Sequence, residues 1–203
     1  MIEIHPHNPQ SRLISQVVDI IRHGGIVVYP TDSAYALGCA LDNREGVERI
    51  RRIRQLDMQH NFTLMCRDLS ELSTYARFDN VIFRLLKAHT PGPYTFILQA
   101  TKEVPKRLQH PKRKTIGLRI PDHSVSLALL EQLAAPMLSV SLIMPGAQLP
   151  ISEADDLDER FEQQVDAIVD SGHCGVEATT VVDLTGPTPK LLRIGKGDVS
   201  IFE

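Results

Sequence analysis

Apolar and polar positions change period several times along the chain, and each change marks an element. Leu13, Ile14, Val17, Val18 and Ile21 recur at helical spacing behind Asn8 and Pro9, a good helix start, and Gly24-Gly25 stops the run. Residues 26–29 are rich in β-branched side chains and end at Pro30, the mark of a buried strand running into a turn. A second helix is expected from about Asn43, carrying Val47, Ile50 and Ile53 inward and leaving the arginines on its flanks. Residues 62–66 predict a strand, 68–75 a helix and 80–89 another, the last with Val81, Ile82, Leu85 and Leu86 on one stripe.

Pro91-Gly92-Pro93 then breaks the chain before a strand at 94–100. Further strands are expected at 115–120 and 137–141, with a helix at 125–133 between them. A helix near 155–164 leads into the apolar run 165–169, and strands at 179–184 and 190–194 follow. Strands and helices alternate with no long linker and no repeat of fixed period. The pattern predicts one α/β domain over 1–203, a mixed sheet flanked by helices.

Composition narrows the classes without choosing among enzymes. Hydrophobic residues make up 42% and charged residues 23% of the 203, which excludes a disordered or fibrous chain. The longest unbroken apolar run is about four residues, far short of the ~20 that cross a bilayer, so no membrane span is expected. The opening MIEIHPHNPQ lacks the basic and apolar blocks of a secretory signal, and the expected location is the cytoplasm. Cys39, Cys66 and Cys174, odd in number and far apart, suit reduced thiols better than a disulfide framework.

Net charge is only −3, but it is unevenly placed. Arg44, Arg49, Arg51, Arg52 and Arg54 crowd one segment, and Lys102, Lys106, Arg107, Lys112, Arg113 and Lys114 another, whereas 153–170 carries eight acids and one base. Such asymmetry suits an anionic ligand or phosphate backbone on one face and a solvated acidic surface elsewhere.

Nucleotide fingerprints of the GxGxxG and GxxxxGK[ST] kind are absent, as is a GxSxG elbow, and no histidine–cysteine set has structural-zinc spacing, so no protein-held metal is expected. The informative stretch is Pro30-Thr31-Asp32-Ser33-Ala34-Tyr35-Ala36-Leu37-Gly38. Following a buried strand, its hydroxyls lie at the carboxyl edge of the sheet, where open α/β sheets bind ligands; the same residues are also good at making a local turn. Arg52-Ile53-Arg54, Pro91-Gly92-Pro93-Tyr94-Thr95, Gly117-Leu118-Arg119-Ile120-Pro121, Ser139-Val140-Ser141 and Thr179-Thr180-Val181-Val182-Asp183, with Arg193 beyond, each put a polar group beside a strand or helix end. Guanidinium groups in such a set suit phosphate and carboxylate, which they bind bidentately.

In that order, PTDSAYALG, RIR, PGPYT, GLRIP, SVS, TTVVDLT and LLRIG resemble the YrdC-like domain of the threonylcarbamoyl-AMP synthase family, most closely its YciO subgroup, from about Leu13 to Gly195. The resemblance implies a twisted α/β domain with a concave, positively charged surface. It implies a cytoplasmic nucleotidyltransferase of tRNA processing, in which L-threonine, bicarbonate and ATP become threonylcarbamoyl-AMP and pyrophosphate with Mg²⁺ on the phosphates. By motif position, Thr31, Ser33, Tyr35 and Arg54 surround threonine, Thr95 and Arg119 line the cavity, and Ser139, Ser141, Thr180 and Arg193 hold the nucleotide. Arg52 stands where synthases have the lysine of a Lys-x-Arg motif, and Arg52 and Arg54 are the expected catalytic pair.

Three departures accompany the match. Val140-Ser141-Leu142-Ile143 stands where synthases read Thr-Ser-Ala-Asn, Arg52 replaces lysine, and Gln55 replaces a proline ahead of the loop Leu56-Asp57-Met58-Gln59-His60-Asn61. Ile143 neither donates nor accepts a hydrogen bond, which costs roughly 1.5–3 kcal/mol against a charged ligand. Three functions stand at this point: a synthase with reduced or altered activity, a paralogue that binds tRNA or double-stranded RNA through the basic segments, or a soluble α/β domain that binds an unrelated anion.

Overall fold

Side-chain offsets fix where the helices begin. Asn43, Asp68 and Asp79 each accept a backbone N–H three residues on, at Gly46, Glu71 and Ile82, and so cap three helices. The structure is a computed structural model that describes residues 1–200 and 202, apart from 58, 59 and 158. Met58 and Gln59 of the loop named above, and Asp158 of the acidic stretch, therefore lie outside the described residues.

In chain order the elements are β1 (Ile2–Glu3), α1 (Ser11–Arg22), β2 (Val27–Tyr29), β3 (Ala36–Ala40), α2 (Arg44–Arg54), β4 (Thr63–Met65), α3 (Leu69–Tyr75), β5 (Ala76–Arg77), α4 (Asn80–His89), β6 (Tyr94–Ala100), β7 (Thr115–Arg119), α5 (Ser124–Leu133), β8 (Met137–Ser141), α6 (Glu159–Glu162), β9 (Ala167–Asp170), β10 (Thr180–Asp183) and β11 (Lys190–Arg193). One mixed sheet runs β1-β9-β2-β3-β8-β4-β7-β6-β10-β11, with β5 paired to β6. The pairs β1–β9, β2–β9, β4–β7 and β6–β10 are parallel and the rest antiparallel.

Period-two alternation sorts the side chains of these strands between two faces. On one face Leu64, Phe96, Leu98, Ile116, Leu118, Leu138 and Val182 join a core completed by Val47 and Ile50 of α2, Leu72 of α3 and Leu86 of α4. On the other, α1 and α5 cover only the β9-β2-β3-β8 end, where Val17, Val18, Ile21, Leu129 and Leu130 meet Val27, Tyr29, Ala36, Met137 and Val169. The remainder of that second face, which carries Thr63, Thr95, Gly117 and Arg119 together with the apolar Met65, Ile97 and Val181, is left open.

Four expectations need correction. Ala36–Ala40 forms a central strand between β2 and β8, although it reads as part of a ligand loop; alanine, glycine and cysteine carry little strand signal. Arg51 is not on a solvated flank but buried, because 47, 51 and 54 share one helical stripe; its guanidinium lies 4.6 Å from the Phe62 ring and Nη1 donates to the Asp57 carbonyl at 2.7 Å. Val81 is 70% exposed, since it lies about 140° around the helix from the buried Leu86. The acidic helix near 155–164 is instead a 3₁₀ turn at Ala154–Asp156 and the short α6, as repulsion among its like charges favours.

Candidate functional site

The open part of the sheet holds a cavity of about 290 Å³. Its floor follows from strand register: Thr63 pairs with both Ser139 and Gly117, Ile97 with Gly117, and Val181 with Thr95 and Arg193. Gly117 lies at the middle, where a Cβ would stand 3.0 Å from Thr63 Oγ1 and 3.2 Å from Thr95 Cγ2, so the cavity depth at this point depends on a missing side chain. Ile97, Val181, Leu192 and Ile143 add apolar wall.

Three arginines reach the cavity from different elements. Arg54 ends α2 on the same stripe as Val47 and Ile50, and its Nε donates to the Ser141 carbonyl at 2.8 Å. Arg193 donates from Nε to the Thr179 carbonyl and from Nη2 to Thr179 Oγ1, both at 2.9 Å, while Thr179 Oγ1 lies 2.9 Å from Thr95 Oγ1. Burial lowers the pKa of both guanidiniums, and for Arg193 the field of Arg119 adds to the effect. Both nonetheless stay charged, because an arginine starts so far above neutrality. Arg119 is buried and paired with Asp32 through Nη2, which also lies 3.4 Å from Thr31 Oγ1.

Neutral and polar groups complete the lining. Ser139 Oγ accepts from the buried Tyr29 hydroxyl at 2.6 Å, which leaves its own proton for a ligand; burial pushes the Tyr29 phenol up to about 12, so it remains a donor. His60 stacks edge-on to Phe62 at 5.7 Å, and its pKa is lowered by desolvation and then by Arg54, so the imidazole is neutral near pH 7 although the residue is exposed as a whole. Among the described residues no aspartate or glutamate lines the cavity. Among the described residues no three or more histidine, cysteine and carboxylate side chains stand together as a metal-ion cluster.

Of the residues named from sequence, Arg54, Thr95, Arg119, Ser139, Ser141 and Arg193 line this one cavity. Thr31 lies behind Arg119, beside a second cavity of about 620 Å³, and its hydroxyl is occupied: it donates to the Ala34 carbonyl at 2.6 Å and accepts the N–H groups of Ser33 and Ala34 at 3.2 Å. Ser33 is buried against Thr31 at 3.1 Å. The Tyr35 hydroxyl donates to the Gly172 carbonyl at 2.9 Å and accepts from Ser171 N at 3.0 Å, away from the cavity. Thr180 is opposite Tyr94 in register and tethers the chain beyond β11, donating to the Gly197 carbonyl at 2.7 Å; its neighbour Thr179 faces the cavity instead. Arg52 is exposed and absent from the lining, one position off the stripe that carries Arg51 and Arg54 inward.

Sequence reading missed Asp32 as a partner of Arg119, and Thr63 and Thr179 as lining. The last two were available from alternation, since each lies two residues from a cavity-facing neighbour, Met65 and Val181. The thiols offer no nucleophile: burial pushes Cys39 and Cys174 up to about 12 and raises Cys66 as well.

Residues 19–195 match the Sua5/YciO/YrdC family model, described as telomere recombination. The chain belongs to this family. It is 58% identical to YciO of Escherichia coli strain K12 over 199 residues, 98% of this chain and 97% of that protein. The crystal structure of E. coli YciO superposes with a TM-score of 0.96 at 57% identity, covering 100% of this chain and 98% of the other. Pyrococcus abyssi Sua5 complexed with L-threonine gives a TM-score of 0.87 at 26% identity, with 96% of this chain covered but only 57% of the Sua5 chain. Ile143 lines the cavity as an apolar wall, and Gln55 caps α2 at φ 51°, a conformation closed to proline.

Proposed function

We propose that the cavity takes L-threonine, bicarbonate and ATP and forms threonylcarbamoyl-AMP, pyrophosphate and water, the threonylcarbamoyl group being destined for tRNA. The observation that carries this reading is the meeting of Arg54, Arg119 and Arg193 with the hydroxyls of Thr95, Ser139 and Ser141 around one cavity that no acidic residue lines among those described. A lining of that kind favours ligands with several negative charges.

The chemistry matches those charges. The threonine amine attacks the bicarbonate carbon and water leaves, giving a carbamate; a carbamate oxygen then attacks the α-phosphorus, and the bond to the β-phosphate breaks to release pyrophosphate. No covalent nucleophile is required of the protein, only alignment and neutralisation of anions. Among the described residues Arg54 and Arg193 are held by carbonyls and a hydroxyl rather than by carboxylates, and so have charge to offer. Mg²⁺ enters on the nucleotide as its counterion. Ile143 removes a polar contact, so a slow rate is expected. The L-threonine complex of P. abyssi Sua5 supports the choice of amino acid. The reading is tested by pyrophosphate release from ATP in the presence of threonine, bicarbonate and Mg²⁺: release that depends on threonine and disappears in Arg54→Gln supports it, and release no greater than in that variant removes it.

A second reading has its own observation. Arg44, Lys106 and Arg107, from the two basic segments, converge with Glu48 on an open hollow of about 520 Å³ that is separate from the cavity. Three cations against one carboxylate suit the phosphate backbone of tRNA or double-stranded RNA. Binding to such a surface falls steeply with salt and is indifferent to sequence; a flat tRNA isotherm at low salt would eliminate it.

A further inference from the structure

The three cavity arginines are not equivalent. Arg54 and Arg193 are held by neutral groups, but Arg119 faces Asp32, and this pair is deeply buried, with side chains 6% and 9% exposed. Asp32 reaches it from the connection between β2 and β3, where Thr31 Oγ1 binds the N–H groups of Ser33 and Ala34 and Lys196 Nζ donates to the Asp32 carbonyl. The pairing is incomplete on both sides: Asp32 Oδ2 and Arg119 Nε are buried without a hydrogen-bond partner. The pair forms the wall between the anion cavity and the rear cavity, which Asp32 lines together with Asp122, His123 and Lys196. A carboxylate in that position lowers the positive potential of the cavity while touching nothing inside it.

We infer that Asp32 is a positioning and specificity-determining residue: it holds Arg119 against the rear wall and cancels its charge, so that the cavity presents two uncompensated guanidiniums rather than three. The inference rests on the reading of this cavity as an anion site. Its physical consequence is a tuned grip. A buried negative charge behind the wall repels a ligand in proportion to the ligand's own charge, so it weakens pyrophosphate more than a monocarboxylate and favours departure of the more highly charged product. Loss of Asp32 should then destabilise the fold and tighten the ligand together, whereas a residue that merely braces the loop would, on removal, loosen both.

The test is calorimetric titration of the full-length chain with pyrophosphate and, separately, with N-acetyl-threonine, for wild type, Asp32→Asn, Arg119→Met and the double variant. The expected result is pyrophosphate bound roughly tenfold more tightly by Asp32→Asn, with a change of at most about threefold for the monocarboxylate and an unfolding midpoint several degrees lower. Where Asp32→Asn does not fold, the other pair decides: Arg119→Met leaves the carboxylate uncompensated and weakens pyrophosphate, and adding Asp32→Asn to it, which removes the whole buried pair, restores most of the loss. Pyrophosphate bound equally or more weakly by Asp32→Asn, or a double variant no tighter than Arg119→Met, overturns the inference while leaving the anion site standing. A wild-type chain that binds pyrophosphate no better than Arg54→Gln overturns the anion site and this inference with it.

Discussion

The two ends of one sheet face do opposite work with the same alternation. At the β9-β2-β3-β8 end the outward positions are Val27, Tyr29, Ala36, Met137 and Val169, and α1 and α5 seal them from water. At the β4-β7-β6-β10 end the corresponding positions include Thr63, Gly117, Arg119, Thr95 and Thr179 among the apolar Met65, Ile97 and Val181, and they line a cavity. Strand β8 spans the change within five residues, from buried Met137 through Ser139 to Ser141. What separates a core from a site here is therefore residue choice on a shared scaffold. Stability should reside in the sealed end and ligand affinity in the open one.

The largest expected effect breaks the sealed end. Leu129→Ala removes a fully buried side chain between α1, α5 and the sheet and should cost about 2–5 kcal/mol in urea unfolding, with ligand affinity of the folded fraction little changed. Next comes Arg54→Gln at the open end, which should lower affinity for a polyanion by about ten- to a hundredfold, as expected for roughly 1.5–3 kcal/mol of charged hydrogen bonding, while the unfolding midpoint stays near wild type. Gly117→Ala sharpens the boundary between them: its Cβ presses on Thr63 and Thr95, so about 1–3 kcal/mol of stability and part of the cavity should be lost together.

The smallest effect is on pH. Burial lowers the pKa of His123, behind the Asp32–Arg119 wall, and of His60, although Asp32 and Asp122 act in the opposite sense on His123. A histidine depressed in the folded state binds protons more readily once unfolded, so stability present above the ordinary value of about 6.5 is lost as pH falls below it. Thermal unfolding followed from pH 7.5 to 5 should show that loss, and His123→Asn should reduce its slope.

Much of this arrangement was legible in the chain, and the reasons for the gaps are physical. The strand at Tyr94–Ala100 and the helix at Asn80–His89 follow directly from local periodicity and flanking breakers. Ser139 and Ser141 read as a pair because alternation keeps both on one face. Thr179 and Thr180 are chemically alike in sequence, and only the pairing of Thr180 with Tyr94 sends Thr179 to the cavity. Arg52 lies outside the cavity: motif position carries no account of helix phase, which turns Arg51 and Arg54 inward and Arg52 out. The Asp32–Arg119 contact joins residues 87 apart in sequence and has no local signature at all.

Calorimetric titration of ATP with Mg²⁺, with and without saturating L-threonine, in wild type and in Arg193→Gln, tests the cavity most directly. The wild-type cavity should bind ATP, threonine should tighten this binding, and Arg193→Gln should weaken it by at least about tenfold. ATP binding that ignores both threonine and the loss of Arg193, or no binding at all, would contradict the proposed function.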